Sequence, residues 1–115
     1  MKILITIILV ATALNSYAAD GYISGVGVES CGDILAAVNN HDIDEERLES
    51  WTQGYFSGAN IAYGLRSKSG DVNTGSTVLP SRLMALVKQK CEAKIDYAYA
   101  KAVDEVYFEL RVAGQ

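Results

Sequence analysis

The segment from Asp44 to Leu65 constrains the fold of this chain more than any other, because its apolar residues recur at the spacing of a core-facing helix. It carries the only tryptophan of the chain. A buried aromatic ring removes roughly 150–250 Å² from water, so we expect this helix to supply the largest share of the core. The residues predicted to share its buried face are Leu48, Trp51, Tyr55, Gly58, Ala59, Ala62 and Leu65, with Phe56 and Tyr63 on an adjoining flank.

Small residues repeat along the same predicted helix, since Gly54, Gly58 and Ala62 follow one another every fourth position. A glycine inside a helix costs on the order of 1 kcal/mol relative to alanine. Close approach of another backbone is the simplest compensation for that cost. We therefore predict that Trp51, Gly54, Tyr55 and Gly58 form the packing motif of the core.

Residues 1–18 have the organisation of a secretory signal peptide. Lys2 supplies a basic start, Ile3–Leu14 is an apolar run, and Ser16 and Ala18 are small residues at the −3 and −1 positions of a cleavage site. The alternative is a membrane anchor, but this run is shorter than the ~20 apolar residues that span a bilayer. We predict cleavage after residue 18, a periplasmic location, and no stable membrane insertion of the mature chain.

The length and charge of the chain limit what it can bind. Its 115 residues are enough for one domain. The formal net charge is −4 at pH 7, a sign that disfavours nucleic acid and anionic membrane surfaces as partners. A basic protein partner is compatible with it.

Two cysteines, Cys31 and Cys91, follow the predicted signal peptide. An even pair in an oxidising compartment indicates a disulfide, which would tie the first helix to the third. The alternative is two free thiols, or one reactive thiol with a resolving partner. No C-x-x-C motif accompanies them, and we predict the structural bridge.

The apolar spacing predicts a small all-α protein with four helices and one disulfide. Residues 19–29 contain three glycines and are expected to be extended or mobile, whereas residues 30–115 form a single α-helical domain. A polar loop is predicted over residues 66–79, long enough to be either mobile or functional. No segment alternates as a strand would.

Helix boundaries are predicted from capping residues. Ser30 and Asp44 precede the first and second helices as N-caps, and Pro80 lies in the first turn of the third. Asp96 is predicted to cap the fourth helix. The buried stripe of that helix is predicted to be Ile95, Tyr99, Ala102, Val103, Val106 and Leu110.

The sequence contains no recognisable set of catalytic or metal-binding residues. The only histidine, His41, lies in a predicted turn without a partner that would make it a base or a ligand. The acidic run 42–46 departs from a calcium loop, because Arg47 and Gln53 occupy the positions of its glycine and its bidentate glutamate. Compensation of the helix dipole explains these acids. We predict no enzyme activity and no cofactor.

A candidate partner-binding surface lies on the fourth helix. Tyr97, Lys101, Asp104 and Phe108 recur at i, i+4, i+7 and i+11, opposite the predicted core stripe. Two aromatic residues on an otherwise polar face can anchor a protein partner. The alternative is that another helix or the N-terminal segment covers them.

Short motifs give the chain a resemblance to a known family. They are Ser30-Cys31-Gly32, the W-x-x-G-Y-x-S-G pattern from Trp51 to Gly58, and a helix ending at Cys91 before an alanine-rich last helix. In these features the chain resembles the exported Rap/Tai immunity proteins, which neutralise peptidoglycan amidase effectors of type VI secretion. It is also similar in architecture to the HdeA-type periplasmic acid chaperones, four-helix domains with one disulfide.

The resemblance implies two functions. The first is a non-enzymatic immunity-type inhibitor that binds a peptidoglycan hydrolase. The second is an acid-activated chaperone, whose 14 carboxylates lose their charge at low pH and whose helices then expose apolar faces. No effector-binding residue follows from the matching positions, because these are the cysteines and the helix-packing motif.

Overall fold

Four α-helices make up most of the part of the chain that the structure, a computed structural model, describes, namely residues 23–68 and 71–115. A short 3₁₀ turn, Gly25–Val28, precedes them. The predicted signal peptide lies outside the described residues. The helices are α1 (Cys31–Asn39), α2 (Glu45–Ser67), α3 (Pro80–Ala93) and α4 (Tyr99–Val112).

Three of the four predicted helix starts are confirmed. The Ser30 hydroxyl accepts a hydrogen bond from the backbone N–H of Asp33, and the Asp44 carboxylate accepts one from the N–H of Glu46. Pro80 is the first residue of α3. The first N–H groups of a helix have no partner within the helix. Ser30 and Asp44 accept hydrogen bonds from such groups, and Pro80 has no N–H that needs a partner, so each residue favours a helix start at its position.

The core is centred on α4 and not on α2, so the prediction that α2 supplies the largest share of the core is wrong. Only three residues of α2 are fully buried, against seven of α4. Among the latter, Tyr107 is completely inaccessible and was absent from the predicted stripe. Ile95, predicted to be buried, is 62 % exposed. The buried residues of α4 are Tyr99, Ala100, Ala102, Val103, Val106, Tyr107 and Leu110.

The buried face of α2 is displaced by about one residue from the predicted one. Thr52 and Phe56 are buried, where the prediction placed Trp51 and Tyr55, which are half-buried. The Thr52 hydroxyl donates to the Leu48 carbonyl oxygen at 2.8 Å and lies 2.9 Å from the Tyr99 hydroxyl. A polar residue can therefore occupy the core face without an unpaired hydroxyl.

The predicted close-packing role of the α2 glycines is also wrong. A Cβ built on Gly54 or Gly58 would meet nothing within 4 Å, and both glycines are exposed. Ala62 and Leu65, predicted to be buried, lie on the same exposed side, and Leu65 is 78 % exposed. The W-x-x-G-Y-x-S-G pattern therefore combines two half-buried aromatic residues with glycines that touch no other element.

The start of α4 is fixed by main-chain bonds and not by Asp96. The N–H groups of Cys31 and Gly32 donate to the carbonyl oxygens of Tyr97 and Ile95, at 2.7 and 2.9 Å. In return, the N–H of Tyr99 donates to the Glu29 carbonyl at 2.8 Å. Because the two helix starts satisfy each other, Ala98 occupies the N-cap position without a capping side chain.

The predicted disulfide is confirmed, since Cys31 and Cys91 are bonded to each other. Both cysteines are fully buried in the core. The bridge joins the first residue of α1 to the last turn of α3 across 60 residues of sequence. It therefore closes a loop that contains all of α2.

The described part of the chain before α1 is packed against both α4 and α2. Residues 19–29 were expected to be extended or mobile, but residues 25–28 form the 3₁₀ turn, and Val26 and Gly27 are buried. The Trp51 indole N–H donates to the Ser24 carbonyl oxygen at 3.1 Å. The 3₁₀ turn thus packs directly against the tryptophan ring.

The polar loop before α3 is tied to α2 over the residues that the structure describes. The Asn60 side chain accepts a hydrogen bond from the Thr74 N–H and donates one to the Thr74 carbonyl, both at 3.1 Å. Asn60 also accepts from the buried Tyr107 hydroxyl at 2.9 Å. One amide therefore links α2, the loop and α4.

Candidate functional site

Of the four residues predicted to bind a partner, Lys101, Asp104 and Phe108 share one side of α4. Tyr97 was predicted to lie on the same helix, but it lies in the bend just before it, because α4 begins at Tyr99. We call the surface formed by these four residues the α4 outer face. Lys101 is exposed and Phe108 is 42 % exposed, whereas Tyr97 and Asp104 are half-buried. They occupy this side because the opposite positions of α4 are buried in the core. Tyr63 of α2 contacts the Phe108 ring, but within the described residues this coverage is only partial.

At the N-terminal end of this face, a tyrosine lies between two lysines. The Nζ of Lys101 is 4.2 Å from the centre of the Tyr97 ring, and the Nζ of Lys94 is 5.9 Å from it. A cation over an aromatic face is attracted by the ring quadrupole. The Tyr97 ring is held in place by this contact and presents a positively charged surface.

In the middle of the face, Asp104 is bonded to α2. The Tyr55 hydroxyl donates to the Asp104 carboxylate at 2.8 Å. Burial, together with the hydrogen bond to this carboxylate, raises the pKa of Tyr55. Both effects favour the neutral phenol. Asp104 therefore joins two helices, and its carboxylate is only partly available to a ligand.

At the C-terminal end, Phe108 belongs to an aromatic cluster with one exposed edge. Its ring lies 5.9 Å from that of Tyr63 and 6.0 Å from that of Tyr107, in both cases edge to face. The Arg111 guanidinium lies 4.2 Å above the Tyr63 ring. Rings in these geometries attract one another, so the exposed part of Phe108 is held in a fixed position.

One further residue extends the face beyond the sequence prediction. Val112 follows Phe108 by one helical turn and is 87 % exposed. The signal was present in the sequence, because the i+4 position after an exposed aromatic lies on the same side of a helix. Phe108 and Val112 together make the C-terminal half of the α4 outer face apolar.

The side of α4 that faces α3 carries an ion-pair network. Lys90 of α3 bonds the Glu109 carboxylate and lies 3.7 Å from that of Glu105. The hydrogen bond to Glu109 raises the pKa of Lys90, although partial desolvation acts in the opposite direction. Lys90 and Glu105 are half-buried and Glu109 is exposed, and the network links the two helices through charge.

His41 and the buried hydroxyls of Thr52 and Tyr99 are the remaining groups that could carry chemistry in the described chain. Among residues 23–68 and 71–115 there is no group of three or more His, Cys, Asp or Glu that could hold a metal ion. His41 is exposed in a turn, with a left-handed backbone at φ 59°. The buried hydroxyls of Thr52 and Tyr99 bond each other, and burial raises the pKa of Tyr99.

The fold and this surface define a small all-α protein with one disulfide and a partly apolar outer face on its central helix. No helix in the described part of the chain is long and apolar enough to cross a membrane. No family model matches the chain, and no curated protein or solved structure matches it either.

Proposed function

We propose that this chain is an exported, non-enzymatic binding protein that captures a protein partner, in the manner of an immunity protein that inhibits a peptidoglycan hydrolase. The observation that carries the proposal is the α4 outer face. Phe108 and Val112 are exposed at the C-terminal end of this face, and Tyr97 with its neighbouring lysines lies at the N-terminal end. The face stands on the helix that is otherwise the most buried in the domain.

The chemistry of this face supports protein recognition. Interface centres are rich in aromatic residues held in fixed positions, and most of their binding energy comes from a few such residues. Tyr97 and Phe108 are both restrained by neighbouring groups, so little side-chain entropy would be lost on binding. A stable complex needs about 800 Å² from each partner, so the interface would extend onto α2.

The disulfide supports export, because such bonds persist in oxidising compartments. Residues 1–18, read as a signal peptide, would direct the chain to the periplasm. A peptidoglycan hydrolase in that compartment is a partner consistent with the resemblance to the Rap/Tai proteins.

Affinity capture from native periplasm at neutral pH tests the proposal. The oxidised protein is immobilised, and the bound proteins are identified by mass spectrometry and assayed for hydrolysis of peptidoglycan. We expect one stoichiometric partner whose hydrolytic activity falls when the complex forms. A capture that yields no stoichiometric partner would refute the proposal.

Two substitutions test whether such a partner binds at the α4 outer face. Tyr97→Ala combined with Phe108→Ala should weaken binding about 30-fold or more, since even one central aromatic anchor contributes about 2 kcal/mol or more. Leu79→Ala is the matched control, because Leu79 is 71 % exposed at the start of α3 and lies outside both this face and α2. Equal affinities of the two variants would exclude the α4 outer face as the interface.

An acid-activated chaperone is the second candidate, and one observation favours it. Carboxylates join the helices, because Asp104 accepts from Tyr55, and Glu105 and Glu109 lie against Lys90. Protonation at low pH would weaken these links and leave the domain with a net positive charge. The test is suppression of aggregation at pH 2–3. A compact monomer without that activity would rule this function out.

A further inference from the structure

An apolar groove lies between α1 and α3, and none of the residues of the α4 outer face lines it. Its volume is about 440 Å³, within the usual range of roughly 300–1,000 Å³ for ligand-binding clefts. The first turns of α2 close one end of it, and Tyr99 of α4 contributes to its lining. We call it the α1–α3 groove.

The walls of the groove are aliphatic. Leu35 and Val38 of α1 face Met84 of α3 across it, and all three side chains are half-buried. Leu48 and Val87, which are fully buried, contribute to the deeper surface. A methionine adapts readily to different apolar occupants because it is unbranched and flexible. The groove can therefore accept apolar side chains from outside.

The rim of the groove is acidic. Glu45, Glu46 and Glu49 line it from the first turns of α2, and Lys88 of α3 is the one cation among the lining residues. The N-terminus of α2 adds about half a positive charge. Three carboxylates outweigh this half charge and the single lysine, so the rim keeps a net negative charge. An apolar floor with an acidic rim favours an amphipathic ligand that carries positive charge.

We propose that the α1–α3 groove binds a cationic amphipathic helix of the partner protein. The inference rests on the proposed function and names the chemistry of the partner segment. Helix-in-groove recognition fits because the groove is bounded by helices, and residues 23–68 and 71–115 contain no strand whose edge could pair with a peptide. Apolar side chains of the partner occupy the groove, and its lysines or arginines meet the glutamates of the rim.

Charge also separates this occupant from two others. A fatty acid would bring its carboxylate towards three glutamates, an unfavourable like-charge contact. A second copy of this chain carries a formal net charge of −4 and would be repelled at long range. A cationic helix experiences neither effect.

The test uses synthetic peptides of roughly 15 residues, about four helical turns, added to the oxidised ¹⁵N-labelled protein. The first has a leucine stripe and lysines on its polar face, the second has glutamates in place of the lysines, and the third is a scrambled version of the first. We expect only the first to bind, with amide shifts concentrated at Leu35, Val38 and Met84. Its affinity should fall as salt is added, because exposed ion pairs are screened.

Two matched variants test the role of the rim. Glu45→Gln, Glu46→Gln and Glu49→Gln together should weaken the lysine peptide about tenfold, from the loss of three exposed ion pairs. The control removes the same charge from exposed residues that do not line the groove, and it should leave the affinity within about twofold. The control substitutions are Asp71→Asn, Glu92→Gln and Asp96→Asn.

A third variant is expected to strengthen binding of the lysine peptide, a result that a weakened fold would not produce. Lys88→Glu, at an exposed position of α3, should strengthen the lysine peptide about threefold. Equal binding of the lysine and glutamate peptides, or no response to the rim variants, would overturn the proposal. Binding of dodecanoate, a fatty acid, in place of the lysine peptide would also overturn it. So would amide shifts at the groove that appear when the protein alone is concentrated, because they would indicate binding of a second copy.

The groove proposal and the proposed function can each be refuted without refuting the other. A partner captured from periplasm that binds the rim variants as tightly as the unchanged protein would refute the groove proposal and leave the binding function intact. Failure of the capture, with the lysine peptide still bound at the groove, would refute the proposed function alone.

Discussion

Substitutions of glycine by alanine should have opposite effects at two sites in this domain. Gly54 and Gly58 lie inside α2, and an added Cβ would meet nothing within 4 Å. Alanine is favoured over glycine in a helix interior by about 1 kcal/mol. Each substitution should therefore stabilise the protein by about that amount, and the double variant by about 2 kcal/mol.

Gly27 should respond in the other direction. A Cβ on Gly27 would lie 2.2 Å from Cζ2 and 2.6 Å from Cη2 of Trp51, far inside van der Waals contact. The indole would have to move away and would strain its hydrogen bond to Ser24. Overpacking of this kind costs about 1–3 kcal/mol, so Gly27→Ala should destabilise the domain by that amount.

Urea unfolding followed by tryptophan fluorescence measures both effects, because Trp51 is the only tryptophan of the chain. For a domain of this size, about 1 kcal/mol corresponds to a change of roughly 4–8 °C in Tm. A shift of Trp51 emission in folded Gly27→Ala would report the displaced indole. Loss of stability in Gly58→Ala would contradict the exposure of that side of α2, and an unchanged Gly27→Ala would contradict the packing of the 3₁₀ turn on Trp51.

Three further outcomes are expected. Replacing Cys31 and Cys91 by alanine should lower the free energy of unfolding by about 4 kcal/mol in the loop-entropy treatment of a 60-residue loop, measured by urea unfolding; a loss below about 1 kcal/mol would contradict it. Asn60→Ala should cost about 1–3 kcal/mol, because the buried Tyr107 hydroxyl loses its acceptor, and thermal unfolding that matches the unchanged protein would refute this. Burial raises the pKa of Tyr99, so the stabilisation it contributes is complete below its unfolded pKa of about 10 and is lost as the pH rises through the folded value. Urea unfolding between pH 8 and 11 should therefore show a shallower alkaline loss of stability for Tyr99→Phe, and parallel curves would count against this interpretation.

Local signals in the sequence were sufficient for the starts of the first three helices and for the disulfide. Ser30, Asp44 and Pro80 each act on the helix that they begin, so their effect does not depend on the rest of the fold. The cysteine pair needed only its number and the predicted export of the chain to indicate a bridge between Cys31 and Cys91.

Tertiary contacts decided the features that the sequence did not reveal. Apolar residues of α2 form two adjoining stripes, and the periodicity alone does not say which stripe faces the core. The choice depends on Thr52, which can be buried only because Tyr99 and the Leu48 carbonyl satisfy its hydroxyl. Asp96 failed as a cap for the same kind of reason, since Glu29 already accepts the first N–H of α4.

The candidate surface was predicted as a set of residues, but its internal bonding was not. The spacing of Lys101, Asp104 and Phe108 follows from helix geometry alone. The hydrogen bond from Tyr55 to Asp104 and the ring contact between Tyr63 and Phe108 both require α2 and α4 to lie side by side. Tyr55 and Asp104 are almost 50 residues apart in the sequence, and no local pattern indicates a contact between residues so far apart.

The burial of α4 has a consequence for how its outer face can act. Because the rest of this helix is enclosed by the core, its exposed stripe stands on the element least free to move. Side chains on such an element are held close to one geometry before a partner arrives, which reduces the entropy lost on binding. Substitutions of Lys101, Phe108 or Val112 should therefore change affinity through the contact itself, with little effect on the fold that presents it.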